Sequence, residues 1–150
     1  MAREQLQKWR RVQQHGGLER SSSNNNRIQW QPPRGGELKC NIDAVVFKDQ
    51  HKFGVGMCIR NDQGRFVKAR TMWFHGNPPP MEAEAWALRE AITWLVELEL
   101  SRVVIELDYL LVVNVISDTS INNSEFGCII NSCKQLLRNH PNFDISFVKR

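Results

Sequence analysis

Three acidic residues, Asp43, Glu84 and Asp108, stand where a carboxylate is costly. Asp43 interrupts the apolar strand pattern of Leu38 to Phe47. Glu84 falls on the apolar stripe of a helical segment, and Asp108 ends the run Val103-Val104-Ile105-Glu106-Leu107. Burying a carboxylate costs several kcal/mol unless something pairs with it. Three of them at the ends of core elements point to one shared cation. Hard divalent ions take such oxygen ligands without help from His or Cys. Two ions about 4 Å apart would activate a water and stabilise a leaving oxygen, which is the chemistry of phosphoryl transfer.

Taken singly, each acid has a plainer explanation. Glu84 could serve as a helix N-terminal charge, and Asp108 as an N-cap for a helix starting near Tyr109. Asp43 has the weakest alternative, because a mid-strand Asp has poor β propensity and no capping role. Together, in the order strand, helix start, strand end, they favour a site. Glu82 shares a polar helix face with Trp86, Arg89 and Glu90 and should point away from it. Glu106 is a weaker candidate for a supporting role.

The elements that must position these acids follow from periodicity. Leu38 to Phe47 alternates, with Leu38, Cys40, Ile42, Ala44 and Val46 on one face and Lys39, Asn41 and Asp43 on the other. Phe53 to Arg60 is a second strand, in which Gly54 and Gly56 permit close backbone approach or a bulge. Asn61-Asp62-Gln63-Gly64 is a hairpin turn, and Arg65 to Phe74 a third strand. Three prolines, Pro78 to Pro80, precede a helix over Met81 to Leu98 whose apolar stripe has the 3.6-residue period. A strand (Arg102 to Leu107), helices over Tyr109 to Ser117 and Ser124 to Asn139, and a strand (Phe143 to Val148) complete the order βββαβααβ. That order predicts an α/β domain with a mixed five-stranded sheet.

The 150 residues suffice for one domain with a real core. Residues 1–29, with six basic and two acidic side chains and the run Ser21 to Asn26, read as a disordered basic tail. Residues 30–150 are expected to form the domain. Within it, 34–70 carries eight basic and four acidic residues, and 71–126 two basic and nine acidic. A basic region beside an acidic centre suits a phosphate backbone lying next to a metal site. Lys39, Asn41, Arg60, Arg65 and Lys68 are the candidate nucleic-acid contacts. No window approaches the ~20 apolar residues a membrane span needs, and the N-terminus lacks the apolar core of a secretory signal, so an intracellular protein without a membrane partner is expected. The four cysteines form no C-x-x-C pair, so free thiols in a reducing compartment are expected.

Five segments carry a resemblance. They are Trp30-Gln31-Pro32-Pro33, Leu38-Lys39-Cys40-Asn41-Ile42-Asp43, Gly54 to Gly64, Ala83-Glu84-Ala85-Trp86-Ala87-Leu88-Arg89-Glu90-Ala91 and Val104-Ile105-Glu106-Leu107-Asp108. They resemble, in order and spacing, the plant ribonuclease H-like domain of non-LTR retroelement reverse transcriptases and their domesticated relatives. The resemblance spans about residues 30–150. It implies a ribonuclease H fold, two Mg²⁺ ions (Mn²⁺ as an alternative) and endonucleolytic hydrolysis of the RNA strand of RNA–DNA hybrids. It places Asp43, Glu84 and Asp108 on three of that family's metal-binding carboxylates, in a monomer working inside the cell, in nucleus, cytoplasm or organelle.

The sequence departs from the family at three places. Ala44-Val45 follows Asp43, Tyr109 follows Asp108 where a small polar residue is usual, and Phe147-Val148-Lys149-Arg150 only begins the last motif. The fourth acid and the final helix of the family are therefore expected to be missing. The competing expectation is a catalytically weak or inactive nucleic-acid-binding module derived from a retroelement. A transposase or integrase fits less well, because its last acid is usually a Glu on a late helix.

Overall fold

The computed structural model describes residues 36–118 and 124–149. The expected basic tail, residues 1–29, lies outside them, as does the Trp30 to Pro33 segment. Strand β1 (Leu38–Phe47) leads through a 3₁₀ turn (Lys48–Gln50) into β2 (Lys52–Arg60) and β3 (Phe66–His75). Helix α1 (Pro80–Glu97), β4 (Val103–Leu107), α2 (Leu110–Ser117), α3 (Glu125–Asn139) and β5 (Phe143–Phe147) follow. The sheet order is β3-β2-β1-β4-β5. The first three strands form an antiparallel meander, and β1, β4 and β5 run parallel. This is the α/β mixed five-stranded sheet that the element order implies.

The strand alternation in β1 sorts the two faces. Cys40 and Ile42 are buried at 0% and 1% exposure against the helical layer, together with Val55, Met57 and Ile59 of β2 and Val103, Ile105 and Leu107 of β4. Helix α1 covers them with Ala85, Leu88, Ile92 and Leu95, all fully buried. Helix α3 packs on α1 closely enough that the Cys133 thiol lies 3.8 Å from the carbonyl of the small residue Ala85. All four cysteines are free. Burial pushes the Cys133 thiol up to about 12 and raises Cys40 further, so both behave as core residues.

The helix ends explain small departures from the periodicity. Helix α1 starts at Pro80 rather than Met81, because a proline is tolerated at the first helical position, where its missing N–H has no partner to lose. Ser124 caps α3, its hydroxyl accepting from the Gly127 N–H at 3.1 Å. The hairpin turn is held by Asn61, whose Oδ1 accepts from the Gln63 and Arg65 N–H groups at 3.0 and 2.9 Å. The register shift falls between Ile59 and Arg60, not at Gly54 or Gly56, which stay in regular ladder pairs.

Candidate metal centre

Parallel pairing of β1 with β4 assembles the site. Asn41 lies opposite Glu106 at the last matched pair. Two residues further along each strand come Asp43 and Asp108, on the same face and level with each other. Helix α1 packs on β1 from the other side and brings Glu84, in its second turn, to the same point. One ligand atom from each of Asp43, Glu84 and Asp108 lies within 4.8 Å of the others. The Ala44 N–H donates to Asp43 Oδ1 at 2.9 Å and to Glu84 Oε1 at 3.3 Å, tying strand and helix together.

The electrostatics of the cluster fit a cation. Glu84 is buried at 6% exposure, and its Oε2 has no hydrogen-bond partner among the described residues. Burial, then the charges of Asp43 and Asp108, push its carboxyl up to about 8, with the Ala44 N–H acting in the opposite sense. A buried oxygen without a partner, beside two further carboxylates, is a donor set suited to a hard divalent ion. Among the described residues, these three are the ones that could hold one.

The plainer explanations do not describe these residues. The N-cap of α2 is Tyr109, with no side-chain cap from Asp108. Glu84 is not in the first turn, where Glu82 is the acidic residue. Glu82 lies apart from the carboxylate cluster, lining a cleft with Phe53, Phe74, Trp86 and Glu125. Tyr109, which stands where the family usually has a small polar residue, is half-buried and packs against the core.

The candidate nucleic-acid contacts divide by surroundings. Lys39 is only 12% exposed and forms an ion pair with buried Glu106 at 3.6 Å. Asn41 lies between them and the site, with its Oδ1 buried. Arg60 reaches back to the Gly64 carbonyl at 3.4 Å and braces the hairpin. Arg65 and Lys68 are exposed. The pairing of Lys39 with Glu106 escapes sequence reasoning, because nothing local announces that β1 and β4 are neighbours.

Residues 41–150 match the reverse transcriptase-like family. The chain belongs to that family. No curated protein matches it. Among solved structures, it is similar to the RNase H1 of the halophilic archaeon Halobacterium salinarum NRC-1, with a TM-score of 0.67 and 17% identity over 76% of this chain and 86% of that one. It is also similar to LC11-RNase H1, isolated from compost and solved with an RNA/DNA hybrid, with a TM-score of 0.65 and 15% identity over 75% and 86% of the two chains. The foamy viral protease-reverse transcriptase, also solved with an RNA/DNA hybrid, matches at a TM-score of 0.62 and 12% identity, over 89% of this chain and 20% of that one. At these identities the likeness establishes the fold: this member of the reverse transcriptase-like family has the architecture of ribonuclease H. No helix among the described residues is long and apolar enough to cross a membrane.

Proposed function

We propose that this chain is a metal-dependent endonuclease that hydrolyses the RNA strand of RNA–DNA hybrids, with Asp43, Glu84 and Asp108 holding two Mg²⁺ ions. Mn²⁺ would serve in the same place. The observation that carries this reading is the convergence of three carboxylates within 4.8 Å around a buried glutamate oxygen that has no hydrogen-bond partner among the described residues. Bound there, the ions supply the Lewis acidity that makes a water nucleophilic and stabilises the leaving oxygen.

The protein's own contribution is placement. The Ala44 N–H fixes the Asp43 and Glu84 carboxylates relative to each other. The buried Glu84 carboxyl is held up to about 8 by burial and two like charges, so a bound cation would favour its ionised form at neutral pH. Arg65 holds a phosphate of the duplex; Lys68 pairs with Ile59 and so faces the helical layer, away from Asp43. Arg65 lies near the end of the sheet where Arg60 pairs with Lys39, four residues from Asp43, which is roughly 13 Å along the strand. A duplex lying across the sheet spans that distance. The hybrid-bound structures of LC11-RNase H1 and the foamy viral protein, which share the fold, support a hybrid as substrate. In this reading the chain acts as a monomer inside the cell.

The test is incubation of an end-labelled RNA–DNA hybrid with wild type and Asp43→Asn, in Mg²⁺ or Mn²⁺ and with a chelator. The RNA strand should shorten only with metal, and Asp43→Asn should lower the rate by at least about 100-fold. Duplex DNA should stay intact. Cleavage that persists in Asp43→Asn, or survives the chelator, contradicts the assignment.

A further inference from the structure

On the sheet face that carries Asp43, one aromatic side chain is both exposed and fixed. Trp73 stands on the edge strand β3 with 41% of its surface accessible. It pairs across the ladder with Gly54. A Cβ added to Gly54 would lie 2.9 Å from Trp73 Cζ3 and 3.2 Å from Cε3 and Cη2, so the ring rests directly on the glycine backbone. Phe47 stacks on the same indole, with centroids 5.4 Å apart and the planes inclined by 30°. The Lys52 ammonium lies 5.9 Å from its centroid. Trp73, Thr71, Gly54 and Gly56 bound a small hollow together with Asp43.

Covering a glycine with a cross-strand aromatic is a known way to stabilise a sheet. That accounts for the ring lying on Gly54. It does not account for so large an exposed apolar surface at the rim of the carboxylate site. An indole held on one side by backbone and on another by Phe47 has little rotamer freedom left to lose on binding. Bases and sugars stack on such surfaces whatever their sequence, and a cation beside the ring suits the adjoining phosphate. We infer that Trp73 is a nucleic-acid contact, its indole stacking on a base or sugar of the strand that lies at Asp43, with Lys52 at the neighbouring phosphate. This rests on the hybrid-hydrolysis reading above and adds a residue that the carboxylate chemistry does not require.

The experiment titrates a fluorophore-labelled RNA–DNA hybrid with wild type, Trp73→Leu and Trp73→Phe, with Ca²⁺ replacing Mg²⁺ to suppress cleavage. Leucine fills the space over Gly54 without an aromatic face, and phenylalanine keeps one. Trp73→Leu should bind roughly tenfold more weakly, and Trp73→Phe within about threefold of wild type. Thermal unfolding should show all three folded. In Mg²⁺ the leucine variant should raise KM and leave kcat at saturation unchanged, a split that a merely structural role would not produce. Equal affinity of Trp73→Leu and wild type overturns the inference and leaves the hydrolysis reading standing. Equal losses in the Leu and Phe variants overturn it as well. Failure of the wild type to bind any hybrid overturns both.

Discussion

In the proposed reading, Glu84 is the residue on which the chemistry turns. Its folded carboxyl titrates near 8, against 4.5 for a free glutamate, because it is buried beside Asp43 and Asp108. A carboxyl raised on folding binds more protons in the native state than in the unfolded one. Its stabilising effect is therefore complete below about pH 4.5 and is lost as the pH rises through about 8. Metal-free protein should melt at lower temperature at pH 8.5 than at pH 5.5, by an amount on the order of a few kcal/mol in stability. Glu84→Gln should flatten that dependence, and divalent cation should raise the melting temperature of wild type at pH 8.5 but not of Glu84→Gln. Calorimetric melts with and without Mg²⁺ check this. An unchanged pH slope in the variant would place the titration elsewhere.

At the scale of elements, the parallel β1–β4 pair does the assembling. The same register that levels Asp43 with Asp108 also sets Lys39 within 3.6 Å of Glu106, both nearly excluded from solvent. Removing one member of a buried ion pair leaves a charge without its counterion and costs about 3–5 kcal/mol. Lys39→Met should therefore destabilise the fold by that amount in denaturant unfolding. Lys39→Met combined with Glu106→Leu should recover most of it; a double variant no more stable than the single would show that the pair is not a unit. Asp43, Glu84 and Asp108 were legible in the sequence because each breaks a local apolar pattern. Lys39–Glu106 and Trp73–Gly54 were not, because each depends on which strands are neighbours and in what register. Lys39 in particular reads as a surface cation until β4 is laid beside it. The start of α1 shifted by a residue for a local reason: Pro80 fits the first helical position, where its missing N–H loses no partner.

Over the whole molecule, the described residues of the basic 34–70 stretch and of the acidic 71–126 stretch fold onto one sheet-and-helix body, so cations flank an acid centre. Arg65 lies toward one end of the meander and Lys52 toward the other, with Asp43 between. Hybrid binding should then depend on salt, falling at least roughly tenfold between 50 and 200 mM, as two or more phosphate contacts require. Affinity that is flat over this range would remove the electrostatic part of the account. The central claim, that Asp43, Glu84 and Asp108 form a divalent-cation site, is tested most directly by anomalous scattering from crystals grown with Mn²⁺. The account predicts a Mn²⁺ peak bounded by these three carboxylates at metal–oxygen distances of about 2.1 Å, and its loss in Asp43→Asn. A well-diffracting Mn²⁺ crystal with no peak among the three would contradict it.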